Sequence, residues 1–263
     1  MASIVEPASR PIAPDDRFFL TSAFVMAFVI VAGFSLQFAM GRSSFGAPAI
    51  VHVHAVVFMG WVAIYVAQSV FAANRATALH RRLGWIATFW VAAMVVLGIA
   101  VTVVMVRRGQ VPFFFPPAYF LIMNPLSVLT FAALTAAAVV LRRRTMWHRR
   151  LHFCGMAILL GPAFGRLLPV PFMIPWVGWG VFAVLILFPL AGIVADLRRT
   201  GRVHRAWWWG LGSIVAMQIA MDAIAFSPLG AAIYDAAVAG SPGAAISPYA
   251  YPPSPVGPLI TGR

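Results

Sequence analysis

Seven apolar stretches, each close to the length of a membrane-crossing helix, constrain this chain more than any other feature of its sequence. They cover residues 18–40, 49–73, 83–106, 117–141, 151–168, 175–195 and 206–226. A helix needs about 20 mostly apolar residues to cross about 30 Å of hydrocarbon, and it bonds all of its own backbone polar groups there. We therefore predict an all-α, polytopic integral membrane helical bundle with about seven transmembrane helices.

The fifth stretch is the shortest and carries both a helix breaker and a charge. Pro162 and Arg166 lie within residues 151–168. A proline inside a helix removes a hydrogen bond and kinks or ends the helix. A six-span alternative, in which this stretch re-enters the membrane without crossing it, therefore stays open.

The distribution of arginine predicts the orientation. All 19 basic residues are arginine, and 14 of them lie in the N-terminal segment and in the second, fourth and sixth connections. Basic residues collect on the cytoplasmic side of bacterial membrane proteins. We predict a multi-pass protein of the bacterial inner membrane, with residues 1–17 as a cytoplasmic segment, 18–226 as the transmembrane domain and the C-terminus outside.

Residues 227–263 differ in composition from the apolar domain before them. This segment holds seven of the chain's 20 prolines, interspersed with Gly, Ser and Ala. Such a composition is poor in side chains that can form a core. We predict a flexible, Pro/Gly-rich outer tail.

Composition and charge exclude several classes of protein. Hydrophobic residues make up 62% of the chain and charged residues 10%, against about 25% in ordinary globular domains. The net charge of +13 resides in short clusters between apolar runs, which argues against a nucleic-acid partner and for contact with membrane lipids. The chain has no lysine for a retinal Schiff base, and its single cysteine allows no internal disulfide or multi-thiolate metal site.

Five polar residues fall at similar depth in the outer third of the predicted bundle: His54, Asn124, Arg166, Gln218 and Asp222. An ionisable group in hydrocarbon costs at least about 2.5–3.5 kcal/mol. Each ionisable residue of this layer is therefore expected to pair with another polar group or to serve a function. Arg166 and Asp222, opposite in charge, are predicted to pair. The pair could fix helix packing alone, or it could line an outward-facing pocket with His54, in which Arg166 binds an anionic head or a quinone carbonyl.

A second polar group lies at the cytoplasmic edge, where His80, His148 and His152 stand among arginines. His148 and His152 are four residues apart and share a helix face. A solvated basic belt that holds anionic lipid heads is one interpretation. The other is axial ligation of a b-type haem, by His80 with His148 or His152, since a haem can be held by two histidines from different helices.

The sequence lacks the motifs of several enzyme classes. It contains no HExxH zinc motif, no Gly-x-Ser-x-Gly elbow, no phosphate-binding loop and, within the predicted spans, no closely spaced pair of acids for magnesium. We therefore assign no catalytic residue and no metal site, and a non-enzymatic role is favoured.

A short sequence repeat occurs at the starts of the third and fifth predicted helices. His80-Arg81-Arg82-Leu83 opens the third, and His148-Arg149-Arg150-Leu151 opens the fifth. With Gly84 after the first opening and Arg166 downstream of the second, the chain resembles uncharacterised bacterial multi-span membrane proteins that carry a His-Arg-x-Leu-Gly helix opening. It departs from that pattern at His152, which stands in place of the second glycine. The resemblance implies a membrane architecture and no particular reaction.

These features leave three functional classes. The first is a transporter-like protein, an accessory protein or a subunit of a complex, with a protein partner or a second copy of the chain. The second is a membrane electron-transfer protein that interacts with a b-type haem or a quinone. An intramembrane enzyme is the third and the least supported by the motifs present.

Overall fold

The chain folds into an all-α membrane bundle, as the apolar stretches predict. The computed structural model describes residues 12–43 and 45–254. Its helices in chain order are α1 (Pro14–Ala39), α2 (Ala49–Ala73), α3 (Thr77–Arg107), α4 (Pro117–Val140), α5 (Thr145–Ile158), α6 (Gly161–Leu167), α7 (Val177–Leu185), α8 (Leu187–Thr200), α9 (Arg205–Ala225) and α10 (Pro228–Val238). Single 3₁₀ turns cover Val170–Met173 and Pro242–Ala245.

Six helical segments in the described part of the chain are long and apolar enough to cross a membrane. They are α1, α2, α3, α4, the nearly continuous α7–α8 segment Val177–Thr200, and α9. Their bounds match six of the seven predicted spans to within a few residues at most ends. The largest difference is at α3, which begins six residues before the predicted start at residue 83.

The fifth predicted span is a broken helix. The break at Leu159 and Leu160 separates α5 from α6, and Pro162 occupies the first turn of α6, where a missing N–H is tolerated. The α5–α6 segment packs alongside α1, because Arg149 contacts Asp15 and Ala163 lies against Gly33. Asp15 and Gly33 are 18 residues apart, or about 27 Å along a helix. This length approaches the hydrocarbon thickness, so seven crossings stays our prediction.

Two antiparallel hairpins form the centre of the bundle. In one, α2 packs against α3, and in the other, α4 packs against α5; α3 and α4 join the two. Helix α9 packs on α4 and α5, while α1 packs on α2 and α6. The turns α2–α3, α4–α5 and α8–α9 lie at one end of the bundle, which we call the arginine-rich end. The turns α1–α2, α3–α4, α6–α7 and α9–α10 lie at the opposite end.

The outer surface of the bundle is apolar, as contact with lipid requires. Phe28, Phe89, Val56 and Val96 are each at least 66% exposed, and they come from three different helices. Soluble monomers rarely expose contiguous apolar surface on this scale. Side chains of this kind suit contact with membrane lipid.

Residues 227–254 differ from the predicted flexible tail, because they include a helix and pack onto the bundle. Tyr234 and Val238 of α10 are each 1% exposed, and the Tyr234 hydroxyl donates to the carbonyl of Gly243 over 3.0 Å. Arg107, at the end of α3, donates to the carbonyl of Ala237 over 2.7 Å. This part of the segment is a cap on the opposite end, and residues 255–263 lie outside the described residues, as do residues 1–11 of the N-terminal segment.

Candidate functional site

The three histidines predicted as haem ligands meet at the arginine-rich end. The ring centroids of His80 and His148 are 6.1 Å apart, with the ring planes at 77°. The His152 ring lies 4.7 Å from that of His148, one turn further along α5. His80 belongs to the α2–α3 hairpin and His148 to the α4–α5 hairpin, so the cluster lies where the two hairpins face each other.

Each hairpin anchors its histidine in the same way. The Nδ1 atom of His80 lies 3.3 Å from the carbonyl oxygen of Gln68 on α2, and Nδ1 of His148 lies 2.8 Å from the carbonyl oxygen of Ala138 on α4. A carbonyl only accepts hydrogen bonds, so each Nδ1 donates. In a neutral ring, Nε2 then keeps its lone pair and is free to bind a metal. The short sequence repeat therefore corresponds to the same hydrogen bond, from a histidine Nδ1 to a backbone carbonyl, in both hairpins.

Beside His80, the structure has a close backbone approach and an unsatisfied acceptor. Gly84 follows His80 by one turn, and a Cβ at Gly84 would lie 3.3 Å from Nε2 of Gln68. The Oε1 atom of Gln68 is buried and makes no hydrogen bond. A buried amide oxygen without a partner costs about 1–3 kcal/mol. This unsatisfied amide oxygen belongs to the residue whose backbone carbonyl accepts from His80, and a bound group is one way to satisfy it.

The histidines do not form a site for a bare metal ion. Within residues 12–43 and 45–254, no group of three or more His, Cys, Asp or Glu side chains is arranged to hold one. A haem differs from a bare ion because the porphyrin supplies four ligands and the protein needs to supply only the axial ones.

The predicted polar layer divides into two separate groups. In the first, the His54 ring stacks on Phe58 at 4.1 Å, and its buried Nδ1 makes no hydrogen bond. Arg166 lies close enough to His54 to interact electrostatically, but its guanidinium packs over the Phe34 ring at 4.1 Å and donates to the carbonyl of Pro162 over 2.8 Å.

The second group joins α9 to α4. Nε2 of Gln218 donates to the Tyr119 hydroxyl over 3.1 Å, and Asp222 interacts with Gln218 and with Trp179. Asn124 belongs to neither group, because its amide donates to the carbonyl of Phe120 on its own helix over 3.0 Å.

The predicted Arg166–Asp222 ion pair is wrong. Arg166 is on α6, which packs on α1, whereas Asp222 is on α9, which packs on α4 and α5. The contacts of each group are those given above, and neither includes the other. Equal depth placed the two residues in one layer, but depth says nothing about which helices are neighbours.

A buried ion network at the arginine-rich end was not predicted. Arg150 and Asp196 are 1% and 3% exposed and form a two-point contact, Nε–Oδ2 at 3.1 Å and Nη2–Oδ1 at 2.6 Å. Trp207 also donates to Asp196, over 2.9 Å. One feature of the sequence could have indicated it. The chain has only six acidic residues, and Asp196 lies near a predicted helix end among arginines, where it is expected to pair with one of them.

The network extends to the start of α1. Arg149 contacts Asp15 and Asp16, and Arg199 contacts Asp15 at 2.6 Å and Asp196 at 3.3 Å. Burial, together with the nearby charges of Arg150 and Arg199, lowers the pKa of Arg149 to about 10. Arg149 nevertheless stays charged at neutral pH, so the network ties α1, α5 and α8 together.

Comparison of the chain with protein-family models, with curated proteins and with solved structures gives no match. The resemblance to uncharacterised multi-span membrane proteins stays a prediction.

Proposed function

We propose that this protein is a membrane electron-transfer protein that binds one b-type haem at its arginine-rich end, with His80 and His148 as axial ligands. The observation that carries the proposal is the pair of neighbouring imidazoles from different hairpins, each held through Nδ1 by a backbone carbonyl. Histidine is a common axial ligand of haem iron, and a ligating histidine commonly donates its other ring N–H to a carbonyl or carboxylate.

The separation of the two rings supports axial ligation. A metal–imidazole bond is about 2.0–2.1 Å long, and the ring centroid lies roughly 1 Å behind the bonding nitrogen. Two imidazoles on opposite faces of one iron therefore have centroids about 6 Å apart. The rings of His80 and His148 are 6.1 Å apart. His152, at 4.7 Å from His148, is closer than two axial ligands stand, and we assign it to the wall of the site.

The surrounding residues suit the other parts of a haem. Arg142 lies near His148, and the exposed Arg81 is next to His80; both can pair with the two propionate carboxylates. When bound, a haem supplies one-electron redox chemistry, and the protein sets its potential through the axial ligands and their hydrogen bonds.

An absorption spectrum tests the proposal directly. The protein would be expressed with added haem precursor, purified in a maltoside detergent and recorded oxidised and dithionite-reduced. We expect the sharp reduced-state bands of a b-type haem at close to one haem per chain. His80→Ala and His148→Ala should each lose most of the bound haem, while His152→Ala should keep it.

The matched control is His52→Ala, because His52 is at the opposite end, where its ring stacks on Phe45 and Nε2 lies 3.2 Å from the Phe45 carbonyl oxygen. Its spectrum should equal that of the wild type. A well-folded, colourless wild-type protein would refute the haem proposal and favour a transporter-like, accessory or complex-subunit role. Loss of haem in His152→Ala with retention in His148→Ala would refute the ligand assignment.

A further inference from the structure

A cavity at the opposite end of the bundle has the chemistry of a binding site for a small organic cation. It has a volume of about 310 Å³, at the low end of the range of about 300–1,000 Å³ that ligand sites occupy. It lies between the α3–α4 loop, the start of α7, the end of α9 and the C-terminal cap. Seven aromatic side chains line it: Phe114, Phe115, Tyr119, Trp176, Trp179, Phe226 and Tyr251.

Asp222 is the only charged side chain among the described residues that line this cavity. Its carboxylate interacts with two neutral groups, the Gln218 amide and the Trp179 indole. No described arginine lies within ion-pair distance of it. A partly buried carboxylate with only neutral partners is unfavourable, and a bound cation would compensate its charge.

The aromatic wall is held in place by close packing. Tyr119 stacks between Phe115 at 5.7 Å and Phe226 at 5.6 Å, and its hydroxyl accepts from Gln218. A Cβ at Gly178 would lie 2.1 Å from the Tyr119 hydroxyl oxygen, so this approach requires glycine. The wall is therefore formed without a ligand, which lowers the entropy lost on binding.

The cavity opens at the surface of the bundle. Trp176 is 68% exposed and Trp179 is 40% exposed, so a ligand can reach the site from solution or from the membrane interface. Aromatic faces attract cations through their quadrupoles and also accept methyl groups, and cages of this composition recognise quaternary ammonium groups. A primary ammonium would need several acceptors, whereas a methylated one needs one counter-charge and apolar surface.

We infer that this cavity binds a methylated ammonium group, with Asp222 as the counter-charge and the aromatic side chains as the cage. The inference does not depend on the proposed haem site, which lies at the other end of the bundle. The group can belong to a free small molecule or to a lipid head, and the two sources share the same chemistry.

Tetramethylammonium chloride is the probe that tests the inference. It would be titrated into the full-length protein in maltoside detergent, with tryptophan fluorescence and calorimetry as readouts and sodium chloride as the ionic-strength control. We expect saturable binding to the wild type and at least about tenfold weaker binding to Asp222→Asn, which keeps the shape and removes the charge. Asp235→Asn, at an exposed acid on α10, should bind as the wild type does.

Trp176→Ala is a second variant that does not depend on the fold tolerating Asp222→Asn, because this exposed side chain supports little packing. It should also weaken binding several-fold. A parallel arm measures whether choline-headed lipid stays with the protein through purification and whether Asp222→Asn releases it. Binding of tetramethylammonium would identify the ligand as a free cation. Retention of choline-headed lipid without tetramethylammonium binding would identify it as a lipid head group. Absence of both, or equal binding by Asp222→Asn, would overturn the inference.

Discussion

At the residue scale, the same motif position has two different environments. Arg82 and Arg150 are both the third residue of a His-Arg-Arg-Leu helix opening. Arg82 is exposed, whereas Arg150 is 1% exposed, bonds Asp196 at two points and lies against the Phe19 and Trp207 rings. The difference arises because α5 is enclosed by α1, α8 and α9, while the start of α3 has no such neighbours.

Matched substitutions at these two positions should therefore differ in effect. Arg150→Gln leaves the buried Asp196 carboxylate without its main counter-charge, a loss of about 3–5 kcal/mol in the free energy of unfolding. Arg82→Gln should change it by no more than about 0.5 kcal/mol. Unfolding by SDS titration and by heat in maltoside measures both. Similar losses in the two variants would contradict a special role for the Arg150–Asp196 pair.

Residue types alone predicted one part of the candidate site and missed another. His80 and His148 could be predicted as a pair, because both open helices at the same end and few other histidines compete. Their separation of 6.1 Å is consistent with that hypothesis. The partners of Asp196 and Asp222 could not be predicted, because they depend on lateral helix neighbours, which hydropathy and depth do not specify.

At the element scale, the cap of residues 227–254, which contains α10 and a 3₁₀ turn, packs on the bundle although its composition indicated a flexible tail. Its prolines and glycines indicated an unstructured tail, yet a few apolar side chains suffice when a bundle end is available to receive them. Gly243 marks the closest approach: a Cβ there would lie 2.1 Å from the carbonyl oxygen of Val106 on α3. The turn can dock only because this residue has no side chain.

Gly243→Ala should weaken the docking of the cap. The clash is with backbone, which cannot rotate away, and overpacking of this kind costs about 1–3 kcal/mol. Gly212→Ala is the matched control, since a Cβ there meets nothing within 4 Å and lies inside α9, where alanine is about 0.5–1 kcal/mol better than glycine. Limited proteolysis after residue 227, together with thermal unfolding, reports the difference. A cap equally protected in both variants would show that the approach at Gly243 does not hold it.

At the scale of the whole molecule, the sequence predicts the class and most spans because hydropathy and helix length are local properties. Pro162 indicated a break in the fifth stretch, but the burial of Arg150 depends on tertiary contacts, and the sequence left the choice between six and seven crossings open. The Arg150–Asp196 contact bears on that choice, because it joins the start of α5 to the end of α8. Two crossings between these points return the chain to the same side, whereas one crossing would not.

Cysteine labelling can determine the number of crossings. The single native cysteine, Cys154, is fully buried and should not react with a membrane-impermeant maleimide. Arg143→Cys and Arg202→Cys place exposed thiols before α5 and after α8, and Ser247→Cys places one in the cap. With seven crossings and the arginine-rich end inside, spheroplasts should be labelled only at Ser247→Cys, and the other two variants should react only after lysis. Labelling of Arg143→Cys and Arg202→Cys from opposite sides would instead show that α5–α6 re-enters, because the two positions would then be separated by a single crossing.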